Sequence, residues 1–314
     1  MQNIEVIKKN LEDIKGFLKD EKVMMANRLK SKIIGFLRDF MEKKEFVELL
    51  PVIASPVTDP LSSPETTISF SVYGYSLQLT KSMIFHKQFA MLAFDKICIF
   101  SPNFRIEKED LWKSGRHLIE FTQLDLEVKE ATREDVMKLG EEMLTEVITR
   151  VLDEAREEIQ FFGRKLKVPS RPFKTVTYHW AYSMFGKDFE VELSRRADAP
   201  IWVLDFPEKS REFYYRQGEN PLYLRDFDLI YPEGYGEAIS GGEREWRPEK
   251  IRERLRNKGI DQSLYYPYLI MLEQGIPPSA GFGMGVERLT RFIAGLESIK
   301  YCRIFPKLPG KFGL

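Results

Sequence analysis

Apolar residues recur at helical spacing from the start of the chain: Ile4, Ile7, Leu11, Ile14 and Leu18, then Ile33, Ile34, Leu37, Phe40 and Met41. Residues 1 to about 47 are therefore predicted to form two or three charged amphipathic helices. The run Phe46 to Ile53 reads as a strand, but Pro51 cannot donate to a ladder, which puts that strand at an edge or an interface. Residues 54 to 66, rich in Ser, Pro and Thr, predict a loop longer than a plain connection needs, as lids often are. From Ser69 the pattern turns to β, and Leu77-Gln78-Leu79-Thr80 leads into a helix carrying Lys81, Met83, Ile84, Phe89 and Leu92.

Two later strands share a polar face. In Phe104-Arg105-Ile106-Glu107 the apolar residues take one side and the charged pair the other, and the alternation recurs from Gln123 to Val128. Residues 108–118 between them form a charged loop containing Arg116 and His117. Such a unit is either an antiparallel hairpin with one solvated face or, beside a suitable floor, a surface for nucleotide phosphates and a metal. Thr132 with Asp135 predicts the capped start of a long helix to about Phe162, buried through Val136, Leu139, Met143, Val147, Val151 and Ile159. Residues 163–200 are turn-rich, with His179 and Trp180 expected to pack. Ile201 to Pro207 and Phe227 to Ile230 read as buried strands, and helices are predicted over 248–258 and 264–274.

The chain is organised around Gly281-Phe282-Gly283-Met284-Gly285, where three glycines occupy one face of a strand and leave bare backbone on which a flat ring could lie. Val286, Leu289, Phe292 and Ile293 then continue as a helix stopped at Gly295. Arg288 falls in the first helical turn, where a cation opposes the helix dipole unless an anion is bound there. In Gly234 to Arg244, Glu237 and Ser240 share a strand face only if the chain bulges, for which Gly241 and Gly242 give room. A carboxylate with a hydroxyl suits Mg²⁺.

Composition narrows the classes. The 314 residues are 43% hydrophobic and 31% charged, enough for a large core, and 48 basic against 48 acidic side chains leave no overall nucleic-acid-binding charge. Cys98 and Cys302 are too few for a disulfide framework or a four-ligand zinc site, and three histidines argue against a histidine-rich metal centre. With no bilayer-length apolar run and no signal-peptide pattern, the expectation is a cytoplasmic protein, one domain over residues 1–314.

In this order these stretches resemble motifs 1, 2 and 3 of the class II aminoacyl-tRNA synthetases, and specifically the aspartyl and asparaginyl branch. Phe46 to Pro51 is similar to the end of motif 1, Phe104–Glu107 through Arg116-His117-Leu118 to motif 2, and Gly281 through Leu289 to motif 3. Blocks at Gln78–Lys81, Arg211–Tyr214, Phe227–Ile230 and Ser240–Arg244 extend the resemblance over roughly residues 25 to 310. It implies an α+β fold, an antiparallel sheet flanked by helices. It also implies ATP as substrate, with Arg105 on the α-phosphate, Glu107 on the adenine, Arg116 and His117 in the motif 2 loop, Gly285 against the nucleotide and Arg288 on the γ-phosphate. Mg²⁺ would lie on Glu237 and Ser240, and the amino acid among Gln78, Lys81, Asp125, Ser240, Gly241 and Arg244.

Lys81 and Arg244 as two cations around one small ligand favour aspartate over asparagine. The branch's anticodon-binding OB domain is not seen before motif 1, so tRNA is not expected as a partner. The resemblance extends to ammonia-dependent asparagine synthetases, which share this core and amidate β-aspartyl-adenylate. Ammonium must lose a proton to attack, and Asp59, then Glu65, are the lid carboxylates expected to serve as base. The alternatives are a free-standing aspartyl-tRNA synthetase-like core and a non-catalytic amino-acid-binding paralogue. Pro51 resembles a dimer-interface residue, so a homodimer is expected.

Overall fold

A computed structural model describes residues 4–61 and 68–310. The chain opens with α1 (Ile4–Leu18) and α2 (Glu21–Lys43), as the periodicity requires, with the Asp20 side chain accepting from the Lys22 N–H at the start of α2. An edge strand β1 (Val47–Glu48) is much shorter than the predicted run and ends before Pro51. β2 (Ala54–Ser55), β3 (Ser69–Val72) and β4 (Tyr75–Leu79) make a small separate sheet in the order β2-β4-β3. Then come α3 (Ile84–Ala90), β5 (Lys96–Phe104), β6 (Glu120–Lys129), α4 (Arg133–Glu154) and α5 (Arg156–Phe161). The predicted single helix over 132–162 is broken at Ala155, whose backbone leaves the helical region (φ −124°, ψ 37°). β7 (Lys174–Thr177), α6 (Tyr178–Phe185), α7 (Phe189–Arg196), β8 (Ile201–Leu204) and β9 (Asp226–Tyr231) follow. The chain continues through β10 (Gly236–Glu243), α8 (Pro248–Asn257), α9 (Tyr266–Glu273), β11 (Ser279–Gly285) and α10 (Val286–Ala294).

Eight strands form one sheet in the order β1-β5-β6-β11-β10-β9-β8-β7, antiparallel except at its two edges, where β1 runs parallel to β5 and β7 to β8. One face carries the main core: Leu37 and Phe40 of α2, Met143 and Val147 of α4, and Leu289 and Ile293 of α10 close over Leu124, Leu126, Ile239, Phe282 and Met284. The capping box of Thr132 with Asp135 starts α4 as predicted. The other face is covered by a second cluster built on Phe85, Phe213, Tyr214, Tyr265 and Tyr268, and the site described next lies on this face. The result is an α+β fold with a large, mostly antiparallel sheet flanked by helices.

Candidate active site

The register between β6 and β11 sets out the floor. Gln123 faces Gly285, Asp125 faces Gly283 and Glu127 faces Gly281, so three polar side chains stand across from three glycines. A Cβ on Gly281 would lie 2.2 Å from both Glu127 Oε2 and Leu126 O, and one on Gly283 would lie 2.8 Å from Gln123 Nε2. The close approach that demands glycine at 281 therefore comes from the neighbouring strand. Only Gly283 and Gly285 remain to line a cavity, of about 90 Å³, together with Arg105, Glu107, Arg116, His117, Phe121, Gln123, Glu237 and Arg288. Arg105, Glu107, Arg116, His117, Glu237, Gly285 and Arg288, taken from three distant stretches, are thus brought together.

Each is held by something identifiable. The strand ends at Phe104, short of the predicted Glu107, because the Phe104 N–H turns to Thr80 O and the Arg105 N–H to Ile119 O. Arg105 donates through Nε to Lys81 O at 2.9 Å and through Nη2 to Gln123 Oε1 at 3.2 Å, and stacks on Phe121. Arg288 pairs with Glu237 at 3.2 Å. Burial opposes the Glu237 charge, but Arg288 and Arg116 outweigh it and hold its carboxyl below the usual range. Burial, helped by Arg288 and Arg116, pushes His117 down to about 4, so at neutral pH its ring is uncharged, with Nδ1 2.6 Å from Ser114 Oγ.

The bulge in β10 falls at Ala238, not at Gly241-Gly242: Glu237 pairs with Ile230 and Ile239 with Leu229. Ala238 and Ile239 both enter the core, so Glu237 and Ser240 emerge together on the site face. Ser240 stands opposite Asp228, a residue the sequence reading did not single out. Asp228 is buried, pairs with Arg211 at 2.6 Å through Oδ2, and has no partner at Oδ1. Among the described residues no group of three His, Cys, Asp or Glu is arranged for a metal. Glu237 with Asp228 and Ser240 is nevertheless a hard-oxygen set of the kind Mg²⁺ uses beside phosphate ligands. Gly241 is placed differently from expectation, since its Cβ direction meets Phe227 and Phe282 in the core.

Next to this cavity, Lys81, Asp125 and Arg244 are buried, with Gln78 half-buried on β4. Arg244 donates to both Glu127 oxygens, at 3.0 and 3.2 Å, so the expected pair of unspent cations is not present. Lys87, also unexpected, pairs with Asp125 Oδ1 at 3.1 Å and leaves Asp125 Oδ2 buried without a partner. Desolvation pushes the Lys81 ammonium below its ordinary value, and the Asp59 charge offsets this only in part. Asp59 sits in the described part of the 54–66 loop, buried, accepting the Tyr214 hydroxyl at Oδ2 and the Leu61 N–H at Oδ1, both 3.0 Å. Glu65 lies outside the described residues. His179 is exposed, while the half-exposed Trp180 packs edge-on against Phe185. His179 borders a cleft of about 1060 Å³ at the far end of the sheet, where Arg133, Arg216 and Arg225 are tied to Asp205 and Glu243. That cleft has no part in the constellation above.

An antiparallel sheet whose alternating-glycine strand runs into an arginine-bearing helix, facing a strand–loop–strand unit with an arginine and a glutamate at its turn, is the core of a class II synthetase. The chain belongs to that family. The model of class II tRNA synthetases (D, K and N) matches residues 14–309. It is 30% identical to an asparagine–tRNA ligase of Pyrococcus abyssi, covering 94% of this chain and 70% of that protein. A second asparagine–tRNA ligase, from Symbiobacterium thermophilum, is 33% identical over 90% of this chain and 69% of its own. The structure superposes on asparaginyl-tRNA synthetase from Pyrococcus horikoshii complexed with asparaginyl-adenylate with a TM-score of 0.86 at 28% identity, over 94% of this chain and 71% of that one. No helix among the described residues is long and apolar enough to cross a membrane.

Proposed function

We propose that this chain activates asparagine with ATP as an aminoacyl-adenylate and passes the acyl group to a tRNA. The convergence of Arg105, Glu107, His117, Glu237 and Arg288 on one cavity, with the buried charged cluster of Lys81, Asp125 and Arg244 next to it, carries the reading. The α-carboxylate oxygen attacks the α-phosphorus, the bond to the bridging oxygen of the β-phosphate breaks, and pyrophosphate leaves. Arg105 holds the α-phosphate in line, Glu107 accepts from the adenine amino group, and Arg288, Arg116 and His117 take the outer phosphates. Glu237, Asp228 and Ser240 would hold Mg²⁺, which supplies neutralisation of phosphate charge. An acceptor hydroxyl then attacks the acyl carbon and AMP departs.

Charge decides the amino acid. Lys81, Lys87 and Arg244 are balanced by Asp59, Asp125 and Glu127, so a neutral side-chain amide meets no uncompensated charge, whereas a second carboxylate adds one to a buried site. This reverses the expectation of aspartate. The names of the similar proteins also bring tRNA back as acceptor.

A second reading, amidation of aspartyl-adenylate by ammonia, is favoured by one observation: Asp59, buried against Tyr214, is pushed up to about 6 by burial first and the Glu212 charge second, a basicity suited to taking a proton from ammonium. Pyrophosphate exchange with asparagine and with aspartate, followed by acylation of tRNA or release of asparagine and AMP from aspartate plus ammonium, separates the two. Exchange with neither amino acid overturns both. Exposed Val47 on the edge strand, with exposed Leu50 and Ile53 flanking Pro51 just after it, supports a two-fold dimer, checked by light scattering.

A further inference from the structure

The cavity lined by Arg105 and Arg288, about 90 Å³, is far below the ~300–1,000 Å³ of small-ligand sites, and Arg116, His117 and Leu118 of the loop of residues 108–118 form part of its wall. Arg116 Nη2 donates to Glu190 Oε1 at 2.5 Å, and the same oxygen accepts the Glu237 N–H at 3.0 Å. The Arg116 guanidinium lies so close over Gly236 that a Cβ there would be 2.5 Å from its Cζ. Gly115, left-handed at φ 65°, sits where a Cβ would be 2.6 Å from Glu297 O, and it accepts the Ile299 N–H at 2.8 Å. Glu190 belongs to α7, which is itself fixed to the same turn: Ser194 Oγ donates to Tyr231 O at 2.6 Å and accepts the Gly236 N–H at 2.8 Å. The carboxylate is therefore anchored in the fold, whereas its arginine rides on a loop. With Arg288 on Glu237, both guanidiniums at the phosphate end are already engaged.

We propose that Glu190 stands in for a phosphate: in the free enzyme it holds Arg116 and the loop shut over the nucleotide site, and the polyphosphate of ATP must displace it. This rests on the reading of the cavity as an ATP site. After exchange Arg116 bonds phosphate, and Glu190 keeps its hold on the Glu237 N–H, so the pairing that is broken sets part of the cost of ATP entry. Glu190→Gln keeps an acceptor for that N–H and removes the charge that competes with phosphate.

Calorimetric titration with Mg-ATP should show the variant binding about two- to fivefold tighter than wild type, the size of a partly exposed ion pair, with the KM for the amino acid unchanged. Trypsin should also cut at the exposed Lys113 faster in the free variant than in the free wild type. Glu190→Ala should move both readouts in the same direction, and thermal unfolding confirms that each variant is folded. Wild-type protein that fails to bind Mg-ATP removes the ATP reading and this proposal with it. Wild type that binds while both folded variants bind no tighter, or bind more weakly, removes the proposal and leaves the ATP reading standing.

Discussion

Arg244 and Glu127 form a two-pronged pair beneath Gly281, with Nε–Oε1 at 3.0 Å, Nη2–Oε2 at 3.2 Å, and both side chains almost wholly buried. Ser279 Oγ adds a bond to Oε1 at 2.8 Å and Arg244 Nη2 another to Gly281 O at 2.8 Å, so neither charge lacks partners. Glu127→Ala leaves a buried guanidinium uncompensated and should cost ~3–5 kcal/mol in urea unfolding. Adding Arg244→Met should recover part of the loss. A single-variant loss under about 1 kcal/mol would show that the pair does not hold the pocket together.

The strand glycines should not respond alike. At Gly281 an added methyl meets backbone, Leu126 O at 2.2 Å, whereas at Gly283 it meets first the end of the Gln123 side chain, at 2.8 Å. Gly281→Ala should lower stability by about 1–3 kcal/mol through overpacking. Gly283→Ala should fold nearly as well as wild type yet bind ATP more weakly, because Gln123 also positions Arg105. Unfolding curves beside ATP titrations check the split, and equal losses of stability would contradict it.

Much of this arrangement was legible in the sequence. Period-two alternation put Gln123, Asp125 and Glu127 on one face and the glycines on another, and strand pairing then placed the two sets opposite each other. The bulge at Ala238 was foreseen as a need but misplaced, because glycines were read as the yielding point when the adjacent apolar Ala238 and Ile239, both entering the core, were the stronger signal. Glu190 and Lys87 were not found, since each reaches the site from a helix whose local pattern reads only as core or surface, and Asp228 and Tyr214 fell within the resembling blocks but were given no role, because nothing local shows that they turn toward the site. Pairing of Arg244 with Glu127 is likewise a fact of three dimensions, and it changes the inferred substrate.

Asp59 should leave a signature in stability against pH. Burial and the Glu212 charge raise its carboxyl from 3.8 to about 6 in the folded chain. Between those values the folded state binds more proton than the unfolded one, so stability falls as pH rises through about 4 to 6 and the loss is complete above that window. Asp59→Asn removes this slope. From pH 4.5 to pH 7 wild type should therefore lose roughly 2 kcal/mol relative to the variant, measured by urea unfolding at both values. A parallel response of the two proteins would place Asp59 outside the buried contact with Tyr214.

Arg105 and Arg288 both line the cavity, one from the turn after β5 and the other from the first turn of α10. Neither belongs to the apolar core, so alanine at either position should leave the fold intact. Because each is placed to bond oxygens whose charge grows during attack on the α-phosphorus, either variant should slow amino-acid-dependent pyrophosphate exchange by about 10²–10³-fold. Exchange at wild-type rate in Arg288→Ala would mean that the phosphates lie elsewhere.

The metal prediction turns on one oxygen. Asp228 Oδ1 is buried with no partner, beside Glu237 and across the strand pair from Ser240, while Arg211 engages only Oδ2. An unpartnered buried carboxylate oxygen is costly, and a cation that completes it recovers that cost. Chelation of Mg²⁺ should stop pyrophosphate exchange. Asp228→Asn keeps the shape but donates where the metal needs an acceptor, so the Mg²⁺ concentration giving half-maximal exchange at saturating ATP should rise by about tenfold or more. Arg211, relieved of one carboxylate, still has Asp226 at 3.0 Å, so the variant should remain folded. If Asp228→Asn slows exchange without shifting the Mg²⁺ requirement, Asp228 serves only to hold Arg211, and the metal set reduces to Glu237 and Ser240.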